Sequence, residues 1–246
     1  MSDIRKKLFD LEAREGCFER IIERLYRAWV CAGDTVIDGG ANVGRHSVPL
    51  SEAVGASGTV ISVEPIPALA NRLRASLPPN CKVLQSALSN ESGVGEFYFV
   101  KNDPAYSGLQ RRDYPFAVLD IDQISVPKIK IDDLEAELSK LTLIKLDLEG
   151  GEFRAIQGGF DTIKKTRPLV IFENGREKPA KTYGYTKEEF FNTFNEMDYL
   201  IFDLFGDNFT LKEWEKPAVP WNYIAQPRGG RDIKNILDNI LGSFIH

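Results

Sequence analysis

The sequence predicts an α/β protein: a mainly parallel, doubly wound sheet with helices covering both faces. Three observations carry this reading. Apolar runs of strand length alternate with segments of helical period along most of the 246 residues. The run Thr35-Val36-Ile37 passes into Asp38-Gly39-Gly40-Ala41-Asn42-Val43-Gly44, the strand–turn–helix opening of a sheet whose ligands collect at the carboxyl ends of its strands. A second strong run, LTLIKLDLEGGE, again ends in acidic residues and glycines.

Taken in order, residues 3–31 read as helical, with Gly16 separating a first short helix from a second. In the second, Phe18, Ile21, Ile22, Leu25 and Trp29 share one face and leave charges of both signs on the other, which suits packing on the sheet. Gly33-Asp34 turns the chain into a strand over about 35–38, followed by a helix through about 44–54. TVISVEP gives a second strand ending at Glu64, Pro67 to Leu77 a helix, and Lys82–Gln85 a third strand. The rhythm then breaks. GEFYFV and FAVLDID alternate as antiparallel strands around the irregular NDPAYSGLQRRDYP, a hairpin inserted at the sheet edge near the site. A helix from about Asp132 to Lys140 leads to LTLIKLDLEGGE, then come helices from Glu152 and near Asp161–Lys165, and the strand PLVIFENG. The amphipathic YTKEEFFNTFNEMDY precedes a strand LIFDLFG, and YIAQP reads as the last strand. The chain is expected to be one domain: a helical segment over 1–32, a core over 33–227 and a C-terminal helix over 228–246. Ile233, Ile236, Leu237, Ile240 and Leu241 share a face of that helix, for packing or for a homodimer contact.

A net charge of −5 and the lack of a strongly basic segment argue against a nucleic-acid partner. Cys17, Cys31 and Cys81 are odd in number and form no Cys-x-x-Cys pair, so they read as reduced thiols. No apolar run reaches membrane-spanning length, and a soluble cytoplasmic location is the default expectation.

Counted from Gly39, the glycine loop places Ala41 where a dinucleotide fingerprint has its second glycine, the one that lets backbone approach a pyrophosphate. The loop instead resembles the Asp-x-Gly-x-Asn-x-Gly turn of class I methyltransferases, whose S-adenosylmethionine (SAM) has no phosphate. That likeness gives Asp38 the methionine ammonium, directly or through water. Glu64, twenty residues beyond Gly44, can take both ribose hydroxyls in SAM and NAD sites alike, so it supports an adenosine ligand without choosing between them.

Strict alternation in LIKLDLEGGE puts Lys145, Asp147 and Glu149 on one side of a strand that a covered parallel sheet should keep apolar. Three ionisable groups there must pair, sit at the strand's open end or do chemistry. The strand ending in Glu173 and Asn174 adds a further carboxylate beside them.

In sequence order, VIDGGANVGRHS, VEP, SALSNESGVGEFYF, KIDDL, LIKLDLEGGEFRAIQGG and VIFE resemble the FkbM-type methyltransferase family over roughly residues 30–175. The resemblance implies a Rossmann-like class I methyltransferase fold, seven-stranded with an antiparallel last strand. It also implies SAM-dependent O-methylation of a sugar or other small-molecule hydroxyl acceptor. By position, Asp38, Gly39, Gly40, Asn42, Gly44 and Glu64 would line SAM, with Ser86 or Ala87 beside the adenine. Lys145, Asp147, Glu149 and Gly150 match the second signature of the family.

An aliphatic hydroxyl needs a base or a metal to attack at neutral pH. In the base version Asp147 or Glu149 takes the proton and Lys145 orients it or stabilises the oxyanion. In the metal version Asp147, Glu173 and Asn174 offer oxygen ligands to Mg²⁺; the metal-free version is preferred. His46 is a second candidate base, against a reading as a helix-capping residue facing away. Tyr106-Ser107-Gly108 and Tyr183-Gly184-Tyr185 are candidate acceptor walls. An NAD-dependent oxidoreductase and a non-catalytic SAM-binding module remain the alternatives.

Overall fold

The computed structural model describes residues 3–114, 120–138, 140–216 and 220–244. Helices α1 (Asp3–Glu15) and α2 (Cys17–Trp29) break at Gly16, whose backbone is left-handed, and lead into β1 (Thr35–Gly39). The chain continues through α3 (Ser47–Val54), β2 (Thr59–Val63), α4 (Pro67–Ser76), β3 (Cys81–Leu84), β4 (Ala87–Leu88) and β5 (Gly93–Val100). After β6 (Ile121–Ile129) come β7 (Leu141–Leu146), α5 (Glu152–Gln157), α6 (Phe160–Thr166) and β8 (Leu169–Glu173). The last part holds α7 (Glu177–Tyr183), α8 (Lys187–Glu196), β9 (Tyr199–Asp203), α9 (Leu211–Trp214), β10 (Asn222–Pro227) and α10 (Ile233–Gly242).

Seven strands form one sheet in the order β3-β2-β1-β7-β8-β10-β9, parallel except that β10 runs antiparallel to both β8 and β9. Seven strands with an antiparallel last strand are what the resemblance to class I methyltransferases implies. Strand order reverses between β1 and β7, whose carboxyl ends carry the two acidic, glycine-rich motifs. Such a switch point opens a crevice.

Alternation along the strands sorts the core into two layers. Ile37, Ile61, Ile144, Val170 and Phe172 face a layer that includes Phe153 of α5 and Phe190 and Phe194 of α8. Val36, Val60, Leu143, Leu169 and Ile171 face α2, α3 and α10. The apolar stripe of α10 is spent there, with Ile233, Leu237 and Leu241 buried in the same cluster as Ile21 and Leu25. Burying each such aliphatic or aromatic side chain is worth about 1.5–3 kcal/mol, so both layers contribute heavily to holding the strand ends in place. Local signals agree: Thr186 accepts from the Glu189 amide at 3.1 Å while the Glu189 carboxylate accepts from the Thr186 amide at 2.7 Å, a reciprocal cap that starts α8.

The structure departs from the sequence reading in four places. The inserted hairpin pairs β5 with Ile121–Ile129, so its return strand is displaced beyond FAVLDID, of which residues 116–119 lie outside the described residues. With β4 it makes a separate three-stranded sheet instead of extending the edge of the main one. The stretch near Asp132 is a 3-10 helix, Ile131–Glu137. Helix α7 went unread because the proline in EKPAKTY and the glycines on either side look like loop; the proline sits in the first turn, where its missing N–H costs nothing. No helix among the described residues is long and apolar enough to cross a membrane.

Candidate active site

The first motif builds a tight corner. Gly40 and Ala41 amides donate to the Val63 carbonyl at 2.9 and 3.1 Å, bending the chain off β1 and over the end of β2. Gly40 has φ +78°, and a Cβ there would stand 1.9 Å from the Asp147 carbonyl oxygen, so only glycine lets the two motifs touch. Asn42 also has positive φ, and its amide donates to Glu64 Oε2 at 2.9 Å. Glu64 Oε1 accepts from the Ile66 amide at 2.8 Å. Burial pushes the Glu64 carboxyl up to about 7, with the Asp38 charge adding and the two amides opposing.

Beside this corner lies a cleft of about 630 Å³. Gly40, Asn42, Glu64 and Asp147 are among its polar lining, and Ser86, Ala87 and Leu88 also line it. Ile66, Phe97 and Leu109 supply apolar walls, the last two from the inserted segment, which also contributes Pro104, Ala105 and Ser107. A buried carboxylate beside apolar walls fits an adenosyl group: hydroxyls for Glu64, a flat ring for the walls.

A second, more open cleft of about 1670 Å³ adjoins it. Its floor includes Glu149, Gly150, Glu152 and Glu173, and its rim Arg111, Arg112, Lys178 and Trp221. Glu149 and Tyr183 line both clefts. Strand β7 ends at Leu146 and Glu149 takes φ +56°, so the alternation that would have kept Glu149 on the Lys145 side stops. Burial pushes Glu149 up to about 8, against the Arg112 guanidinium and helped by the charges of Asp147 and Glu152. Arg112 donates to Glu149 Oε2 and stacks over Tyr106 at 5.5 Å. Burial likewise pushes Glu152 up to about 7, although its Oε1 accepts from the Leu148 and Gly150 amides at 2.7 and 3.2 Å. Glu173 is raised by burial and by its three acidic neighbours Asp147, Glu152 and Glu149. The Tyr183 hydroxyl is enclosed next to the Gln110 backbone without closing a well-formed hydrogen bond, and burial raises it, keeping it neutral.

Lys145 and Asp38 belong to the other side of the sheet. Lys145 is 4% exposed and reaches Asp147 Oδ2 at 3.3 Å. Burial disfavours its charge, but Asp147, Asp38 and Glu19 outweigh that and hold it protonated. Asp38 accepts from Ser47 Oγ at 2.6 Å through Oδ2, and Oδ1 is buried without a partner. Neither side chain lines either cleft. His46 also turns away: Nε2 lies 2.6 Å from Glu19 Oε2, and the ring packs edge-on against Tyr26. Burial would raise Glu19, but the His46 hydrogen bond and the Lys145, His46 and Arg45 charges bring it down to about 2.

Of the positions read from sequence, Gly40, Asn42, Glu64, Ser86, Ala87, Asp147 and Glu149 therefore meet around one cleft. Gly39 contributes its carbonyl, which accepts from the Asp147 amide at 3.0 Å, and Gly44 closes the loop by donating to Ala41 at 2.7 Å. Of the expected acceptor walls, Tyr183 lines both clefts and Ser107 the first. Tyr185 is core instead, packed on Phe153 at 4.6 Å between ring centres, because α7 ends at Gly184 and turns it inward. Arg112, Phe97 and Trp221 were not singled out in the sequence; the density of arginines in the inserted LQRRDY was the available signal for the first. The Mg²⁺ set finds no support: Asn174 Oδ1 accepts from the Arg176 amide at 2.6 Å, and no group of three or more His, Cys, Asp or Glu among the described residues is placed to hold a metal ion.

The family model described as the methyltransferase FkbM domain matches residues 38–204, from the end of β1 to just past β9. The chain belongs to this methyltransferase family. The resemblance read from the sequence is thereby borne out, and the match reaches beyond it through α7, α8 and β9. Among solved structures, an FkbM methyltransferase from Methylobacillus flagellatus is similar at 14% identity, over 88% of this chain and 60% of that one, with a TM-score of 0.46. A putative rRNA methylase from Clostridium thermocellum is similar at 10% identity over 82% and 90% of the two chains, with a TM-score of 0.46. A SAM-dependent O-methyltransferase from Thermotoga maritima is similar at 13% identity over 80% and 60%, with a TM-score of 0.43. This FkbM-family chain thus spans 60% of the length of the Methylobacillus protein. No curated protein matches it in sequence.

Proposed function

We propose that this protein is a SAM-dependent O-methyltransferase acting on the hydroxyl of a sugar or secondary-metabolite-type acceptor, with SAM in the first cleft and the acceptor in the second. One observation carries the reading: Glu149, a carboxylate, and Tyr183, a neutral phenol, are shared by the two clefts. Chemistry between two bound molecules has to occur where their sites meet.

When bound, SAM supplies a methyl group already activated on a sulfonium. Glu64 receives the ribose hydroxyls, while its amide partners at Asn42 and Ile66 fix its orientation. Glu149 is the base. Arg112 holds Oε2, leaving Oε1 to take the acceptor proton. A carboxyl raised to about 8 is a better proton acceptor than an ordinary one and closer to working pH. Tyr183 donates to the acceptor and orients it. Lys145 serves as a positioning residue, holding Asp147 at the rim of the cofactor cleft. Asp38 sets Ser47 at the start of α3 and keeps Lys145 charged.

The test is transfer from methyl-labelled SAM into an extract of the source cells. Label in an ether that survives mild base supports the reading. Label only on nitrogen or carbon, or binding of NADH with no uptake of SAM, overturns it.

A further inference from the structure

The rim of the second cleft carries a charge pattern that the transfer chemistry does not require. Arg111 from the inserted segment and Lys178 and Lys181 from α7 line it from different elements. All three are exposed, and none makes an ion pair among the described residues. Elsewhere the same chain pairs its surface cations freely, as in Arg27 with Glu23 and Glu52 or Lys101 with Asp120 and Asp122.

The carboxylates nearest the rim are engaged lower down. Glu149 is held by Arg112, Glu152 by backbone amides, and Glu173 accepts from Asn222 Nδ2 at 3.2 Å. Among the described residues, Asp113 is the one acidic group that shares the rim. Glu149 and Glu152 are also pushed up to about 8 and about 7 by burial, so near neutral pH the floor carries less negative charge than its composition implies. A chain of net charge −5 thus presents a cationic mouth over its acceptor cleft. Trp221, half exposed, stands on the same cleft with its ring open to solvent. Aromatic faces present a flat apolar surface with a polar edge, suited to the face of a sugar ring.

Building on the reading of this cleft as the acceptor site, we propose that the acceptor is an anionic saccharide, its phosphate or carboxylate held by Arg111, Lys178 and Lys181, its ring on Trp221 and its hydroxyl at Glu149. Distributed cations of this kind steer an anion from solution and weaken as salt rises.

The experiment divides an extract of the source cells by anion exchange into retained and flow-through pools and supplies each with methyl-labelled SAM and protein. Label is expected in the retained pool, and acid hydrolysis should release an O-methyl sugar detectable by mass spectrometry. Phosphatase-sensitive retention identifies phosphate; resistant retention identifies carboxylate. The double variant Lys178→Glu/Lys181→Glu should lower labelling at least tenfold while its SAM affinity, measured by calorimetry, stays within twofold. Label confined to the neutral pool, label released by ribonuclease or carried on protein, or a double variant as active as the parent overturns the proposal. So does label in neither pool when SAM binds normally. Failure of SAM to bind instead defeats the cofactor reading on which this one rests.

Discussion

Glu64→Gln isolates one buried carboxyl and gives a signed, measurable pH effect. Glu64 is 3% exposed and raised from the ordinary 4.5 to about 7, chiefly by burial. Between those two values the folded protein holds a proton that the unfolded chain has released. Stability from this group is therefore fully present below pH 4.5 and is lost as pH rises through 7. At 1.36 kcal/mol per unit, the loss amounts to about 3 kcal/mol. Glutamine never ionises, so it escapes that loss. Its own cost is that one of the Asn42 and Ile66 amides must face an NH₂ group, about 1–3 kcal/mol at every pH. The variant should thus be the less stable protein near pH 4.5 and draw level with or overtake the parent by pH 8. Glu149 and Glu152 titrate in the same window, but they are common to both proteins and cancel in the difference. Urea unfolding of both at half-unit steps from pH 4.5 to 8 reads that difference directly. A difference that stays flat across the range would refute the reasoning, because Glu64 would then not be a buried, proton-holding carboxyl.

Three further outcomes follow from the same geometry. Gly40→Ala should unfold at lower denaturant and lose SAM affinity, since the clash with the Asp147 carbonyl adds to the roughly 1–2 kcal/mol cost of positive φ; wild-type stability would contradict the contact between the motifs. Glu149→Gln should lower kcat by about 10²–10⁴-fold with SAM affinity little changed, and the rise in parent activity through pH 8 should disappear. His46→Gln should cost about 1–3 kcal/mol of stability above pH 4.5, fading as pH falls toward 2 where Glu19 takes up its proton. Its pH–rate profile should match the parent, and a displaced profile would return His46 to the list of bases.

Much of this was legible in the sequence because each motif uses a strong local rule. A short apolar run followed by glycines that permit positive φ announces a switch-point loop, and Glu64 at the end of the next strand follows by spacing. The alternation rule failed at one informative place. It assigned Glu149 to the side of Lys145, whereas the strand stops at Leu146 and the left-handed backbone at Glu149 carries its side chain to the junction of the clefts. No periodicity can report where a strand ends. Asp38 and Lys145 line neither cleft for a related reason: both are members of the motifs, but strand pairing puts them side by side on the face covered by α2 and α3, where Lys145 is held charged by Asp147, Asp38 and Glu19. The apolar wall of the first cleft and the Arg112–Glu149 pair depend on an inserted segment with no regular pattern, so only the folded chain shows what it covers.

In the proposed function, the cleft between the Gly40 corner and Glu64 holds the adenosyl group of SAM. Calorimetric titration of the folded protein with SAM, with its demethylated product S-adenosylhomocysteine and with NADH tests it most directly. The first two are expected to bind one per chain and compete, both are expected to weaken at least tenfold in Glu64→Ala, and NADH is expected to give no heat. Folded protein that takes up neither adenosyl compound, or takes them up equally well without the Glu64 carboxylate, would contradict it.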